Sequence, residues 1–178
     1  MNKIIPSIND AESTFSFFDA FHTHYSFFAI FVNQNKTRFF PSLIDAMKFA
    51  TMVNVAQNKL GIEHCGIYSY IMNLVDKRKL LIDCVNLMFS DKLQVPLTNL
   101  VIRNKKTKKI DDISKLFLFP ADGAMLSFLL KIPISVDLNS INHLTLPVIP
   151  NIELPLLIDL IKNSIMFVEE KEQKKKEG

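Results

Sequence analysis

Apolar positions fall into short strand-like runs over the first forty residues, shift to helical spacing, and return to strand-like runs between about 84 and 119. Thr14 to Ala20 and Tyr25 to Val32 are rich in Phe, Ile and Val on either side of the polar His22-Thr23-His24, the pattern of neighbouring strands joined by a short connection. Asn33 to Lys36 reads as a second turn and Thr37 to Phe40 as a third short strand, which together predict an antiparallel meander. Pro41-Ser42-Leu43-Ile44-Asp45 then opens a helix, with Ser42 three residues before Asp45 in the manner of a capping box. That helix runs to about Lys59, where Gly61 supplies a left-handed stop. A second helix is predicted from Ile67 to Asp83, with Asp76 to Lys79 as its solvated stretch. Cys84 to Phe89, Leu93 to Arg103 and Lys109 to Phe119 read as strands, the last two separated by the basic tip Asn104-Lys105-Lys106-Thr107-Lys108.

The chain is organised around Leu116 to Val136, which reads as strand, helix, strand. Pro120 cannot donate within a sheet but suits the first turn of a helix, so the strand ends there and the helix begins. Ala124 to Leu130 has almost no polar face, which makes this a central helix covered on most sides. Pro147 and Pro150 break the next stretch, Ile152 to Val168 is spaced for a C-terminal helix, and Glu169 to Gly178 reads as a charged, flexible tail. The fold expected is α+β: a mixed, mostly antiparallel sheet, two central helices after the first strands, the strand–helix–strand unit and a C-terminal helix. Residues 1–12 form a lead-in and 13–168 one domain.

Composition changes this picture little. With 48% hydrophobic residues and 15 Phe among 178 residues, the chain has a globular, greasy composition with enough apolar mass for a real core. The net charge of +3 is weaker than the footprint usual for a nucleic-acid binder, and part of the basic excess lies in Arg103 to Lys109 and Lys171 to Lys176. Asp19, Asp45, Asp122 and Lys131 interrupt the greasiest stretches, and nothing at the start resembles a signal peptide, so a cytoplasmic protein without a membrane partner is expected. Cys65 and Cys84 have no metal-like spacing, which suits reduced thiols. Exposed strand edges and the all-apolar helix make a homodimer the expected form of any self-association.

Pro120-x-Asp122-Gly123-Ala124, an apolar helix, and then Ile132-Pro133-Ile134-x-Val136 resemble the signature of the bifunctional nuclease domain family, in which a strand ends in Arg-Pro-Ser-Asp-Ala-Ile-Ala and the next reads Val-Pro-Ile-x-Val. Asp45-Ala46 stands where that family has Glu-Ala, and the resemblance spans roughly residues 13–145. It implies hydrolysis of DNA and RNA with little sequence preference. Four polar positions of the family pattern differ here: Phe119 stands for the arginine, Ala121 for the serine, and Tyr68 and Ser69 for a histidine and an aspartate. Loss of the arginine removes a bidentate phosphate donor. The alternative that this opens is a catalytically eroded relative acting as a binding or self-association module.

Phosphodiester hydrolysis needs charge neutralisation at the phosphate and an activated water, supplied by carboxylate-held metal ions or by basic groups. Asp122 and, secondarily, Asp45 are the candidate catalytic residues, with a divalent metal ion as the candidate cofactor and its ligands unassigned. An acidic residue in a first helical turn also has a purely structural use, because it faces unpaired N–H groups. Arg103, Lys105, Lys106 and Lys108 are the candidate nucleic-acid contacts. His22 and His24, two apart, would share a face if the strand ran through them, and His64-Cys65 is the other histidine pairing of note. Each also reads as ordinary loop.

Overall fold

The computed structural model describes residues 11–109 and 117–177. Among these, eight strands form one curled, mostly antiparallel sheet: β1 (Thr14–His22), β2 (Phe27–Asn33), β3 (Arg38–Ile44), β4 (Leu80–Ser90), β5 (Val95–Asn104), β6 (Phe117–Leu118), β7 (Ile134–Val136) and β8 (Leu146–Pro147). Their order is β6-β5-β4-β7-β1-β2-β3-β8. The short β7 joins the two antiparallel halves, parallel to β4 and antiparallel to β1. Five α-helices accompany them: α1 (Ala46–Ala56), α2 (Ile67–Lys77), α3 (Pro120–Leu130), α4 (Ile141–Leu144) and α5 (Leu154–Glu177).

Strand alternation divides the apolar residues between two cores. Phe15, Ala29, Phe31, Phe40 and Ile44 face inward with Ala124, Met125, Leu126 and Leu129 of α3. Ile30, Val32 and Phe39 face outward under Leu154, Leu157 and Ile158 of α5. The register of β1 slips between Phe17 and Asp19, leaving Phe18 as an extra residue. That bulge carries Phe21 from the inner to the outer face, where it packs with Phe28.

Helix α3 is buried over most of its length, as its apolar composition requires, and touches strands in both halves of the sheet. The contact is close at Gly123, where a Cβ would come within 2.9 Å of Val85 Cγ1 and 3.2 Å of Thr98 Cγ2.

Several predicted boundaries move. The segment Pro41 to Ile44 is not the start of a helix but the end of β3, where Pro41 lies opposite Ile30. A proline is tolerated because β8 pairs only with Arg38 and Phe39, so this part of β3 is an edge. Asp45 rather than Ser42 caps α1. Gly61 is extended; the left-handed residue after α1 is Asn58, a type that accepts that conformation. The second helix ends at Lys77, and Leu80 and Ile82 are buried in β4 with the half-exposed Leu81 between them: strand alternation had the spacing of a helix.

Most of the strand predicted from Lys109 to Phe119 lies outside the described residues, with β6 as its described end. The charged segment after Val168 continues α5 to Glu177 instead of leaving the fold. Glu169 accepts hydrogen bonds from Thr23 Oγ1 and the His24 N–H, and Tyr25 bonds Gln173. No helix among the described residues is long and apolar enough to cross a membrane.

Candidate active site

The first turns of three helices converge on one cluster of side chains. Asp45 is the N-cap of α1, and its Oδ1 accepts the backbone N–H of Lys48 at 2.8 Å. The Lys48 ammonium turns back onto Asp45 Oδ2 at 2.5 Å and reaches Asp122 Oδ1 at 3.3 Å. Asp122 lies in the first turn of α3, which Pro120 opens. Its Oδ1 also accepts a 2.7 Å hydrogen bond from the hydroxyl of Tyr68, in the first turn of α2. The two carboxylates singled out by sequence therefore share one ammonium, and a phenol fixes one of them.

The electrostatics follow from these contacts. Hydrogen bonds from the Lys48 side chain and N–H hold the Asp45 carboxyl below the usual carboxylate range. Lys48 is held above the usual lysine range by its bond to Asp45 and, against the opposing effect of burial, by Asp122. Burial, and then the bond to Asp122, push the Tyr68 phenol far up, so it stays a proton donor. Lys48 sits on two carboxylates, and the phenol is spent on one of them, so the ammonium occupies the point of convergence. That set does not fit a divalent ion, and no group of three or more His, Cys, Asp or Glu is placed to hold one among the described residues.

Beside the cluster opens a cavity of about 580 Å³, with Lys48 and Asp122 as the charged side chains in a wall otherwise dominated by residues such as Phe40, Leu43, Pro96 and Phe119. Phe119, in the wall of the cavity, is 80% exposed.

The candidate nucleic-acid residues do not join this site. Arg103 is paired with Asp83, the extra residue in a bulge of β4, and Lys105 with Asp76 at the end of α2. Lys106 and Lys108 are exposed on the turn after β5. Lys105 lines a hollow with Leu130 and Ile132, at the C-terminal end of α3, whereas Asp122 is at its N-terminal end. A helix of 11 residues, about 16 Å at 1.5 Å per residue, separates them.

The histidines also part. His22 packs its ring on Phe27 and Phe49, while His24 pairs with Glu170. His64 faces Glu63, and Cys65 is buried with its thiol toward the Gly61 carbonyl, its pKa raised by burial. Cys84 is likewise free and buried, its thiol pushed up to about 11 by desolvation.

Two members of the cluster escaped sequence reasoning. Lys48 follows Asp45 at a spacing that pairs side chains along a helix, a local signal that was available. Tyr68 looked like the loss of a histidine, yet it supplies the donor that holds Asp122. Compared with known proteins, the chain matches no family model and no curated protein.

Proposed function

We propose that the chain is a phosphodiester hydrolase of the bifunctional-nuclease type, acting on DNA and RNA at the Asp122–Lys48–Asp45 cluster. The observation that carries this reading is the convergence of Asp45 and Asp122 on Lys48 at the wall of an open cavity. Two carboxylates reached by motif resemblance alone did not have to meet in space. Asp122 acts as general base, taking a proton from the attacking water through Oδ2, the oxygen that joins neither the Tyr68 nor the Lys48 contact; as the water oxygen bonds phosphorus, the P–O ester bond breaks and the leaving alkoxide takes a proton from solvent water. Lys48 faces the non-bridging phosphate oxygens and offsets the charge that builds up in the transition state. Tyr68 keeps the base oriented, and Asp45 holds the ammonium in place.

A second reading, a catalytically eroded relative used for binding or self-association as a homodimer, is favoured by the apolar rim of the cavity. Phe119 is 80% exposed and Leu43 is 62% exposed, more apolar surface than hydrolysis requires. The basic residues Arg103, Lys105, Lys106 and Lys108 would then serve, at most, a contact remote from the cluster.

Incubation of highly purified protein with RNA, single-stranded DNA and duplex DNA tests the first reading, with Asp122→Asn as control. Cleavage by the wild type that falls at least about 100-fold in a folded variant, the loss typical of a general base, supports it. Absence of cleavage of all three substrates leaves the second reading.

A further inference from the structure

The cavity beside the Asp122–Lys48 pair has a polar end and an apolar body, and one of its exposed side chains is an aromatic ring in the place of a phosphate-binding arginine. Phe119 is the N-cap of α3, three residues before Asp122 and 80% exposed. Its backbone carbonyl accepts the N–H groups of Asp122 and Gly123, so the residue is anchored to the helix start while its ring faces solvent. A ring left in water at the edge of a cavity gains from a flat apolar partner.

A serine of β3 adds a second signal. Ser42 lines the same cavity and is 7% exposed, yet its Oγ has no hydrogen-bond partner. A buried hydroxyl with unused hydrogen-bonding capacity is costly unless a ligand or water meets it. A carboxylate-held cation, an exposed ring and a serine whose hydroxyl lies just beneath the wall therefore surround one space of about 580 Å³, within the range of about 300–1,000 Å³ typical of ligand sites.

We infer that this cavity holds an unpaired nucleobase, stacked on Phe119 next to the phosphate at Lys48, so that the enzyme takes single-stranded nucleic acid in preference to duplex. The inference rests on the phosphodiester reading of the cluster. Its physical basis is that a duplex buries both faces of each base in the stack, whereas an unpaired base offers a face to an aromatic side chain and an edge to the polar end of the cavity at Lys48 and Asp122. Anchoring through a ring also suits a chain that lacks the arginine, because stacking replaces part of the positioning that a bidentate phosphate contact would provide. The basic turn from Lys105 to Lys108, at the far end of α3, is not required.

The test uses the full-length protein and a short oligonucleotide with phosphorothioate linkages and one 2-aminopurine, titrated as a single strand and as a duplex. Stacking on Phe119 predicts quenching of 2-aminopurine beyond that in the free strand and tighter binding of the single strand. Phe119→Ala, an exposed position whose truncation leaves both cores intact, weakens single-strand binding by roughly 5- to 100-fold, the range of a lost base–aromatic stack. Phe119→Tyr restores it.

Equal binding of single strand and duplex, or unchanged affinity in Phe119→Ala, overturns the inference. Cleavage of unmodified substrates by the wild type, measured in parallel, separates the two levels. Cleavage that ignores Phe119→Ala sinks the stacking role alone, whereas stacking without any cleavage sinks the hydrolase reading alone.

Discussion

The hydroxyl of Tyr68 stands 2.7 Å from Oδ1 of Asp122, a hydrogen bond between residues 54 positions apart that ties the first turn of α2 to the first turn of α3. Tyr68 itself is buried, so the bond is set by packing and not by chance rotation of a surface phenol. Tyr68→Phe keeps the ring and deletes the bond. The expected loss is about 1 kcal/mol, since the partly exposed Asp122 side chain can recover a water. A urea melt reads it as a lower midpoint with an unchanged slope. An unaltered midpoint would mean that the bond does not stabilise the junction of the helices.

The Asp45–Lys48 pair makes stability depend on pH at both extremes. Asp45 has a folded pKa below its unfolded value, so its contribution is present above about pH 4 and is lost as pH falls through the lowered value. Lys48 has a raised folded pKa, so its contribution is complete below about pH 10 and is lost as pH rises through the raised value. Between these limits the pair adds no slope. Lys48→Met removes the Lys48 component of the alkaline fall and weakens the acid one, which thermal melts from pH 2 to 11 would resolve. An alkaline limb identical in wild type and variant would count against the pair. Because Asp45 is half exposed, the amplitude should be small.

Gly123→Ala sets helix propensity against space. An alanine favours the helix by about 1 kcal/mol, but its Cβ would press on Val85 and Thr98, an overpacking that costs about 1–3 kcal/mol. The clash wins, and the variant should melt at lower temperature; under the proposed hydrolase function it should also cleave more slowly, because α3 carries Asp122. A stabilised variant would show that the sheet yields freely at this contact.

The end of α5 acts as a strap on the β1–β2 connection. The Glu169 carboxyl is pulled below its ordinary range although burial opposes the shift, because the Thr23 hydroxyl and the His24 N–H donate to it. Glu169→Ala should change global stability by less than about 1 kcal/mol and speed amide exchange in residues 23–26. The same loosening should appear in the wild type as pH falls below about 4. Exchange unchanged by the substitution would mean that the helix end does not hold the connection.

Much of this architecture could be read from the sequence, and the misreadings share a cause. The β1–β2 pairing and the strand–helix–strand unit around Asp122 were legible because their periodicity and the proline at position 120 are local. Pro41 misled because a proline suits both a first helical turn and an edge strand, and only the shortness of β8 decides between them. Leu80 and Leu81 carried a spacing that both a helix and a strand can use. The stretch after Val168 looked undockable for want of apolar residues, yet its docking is polar, through Glu169 to a backbone N–H. In the site, the Asp45–Lys48 spacing was visible, whereas nothing near Tyr68 in sequence announces Asp122.

The measurement that bears most directly on the site is a double-mutant cycle on cleavage rate, with Asp122→Asn, Lys48→Gln and the pair, each checked for wild-type melting. If base and ammonium act as one unit, each single variant loses most of the activity and the double is no more than a few-fold slower than the worse single. A wild-type enzyme that cleaves while both folded single variants keep its full rate would contradict the account, and would place the chemistry elsewhere on the chain.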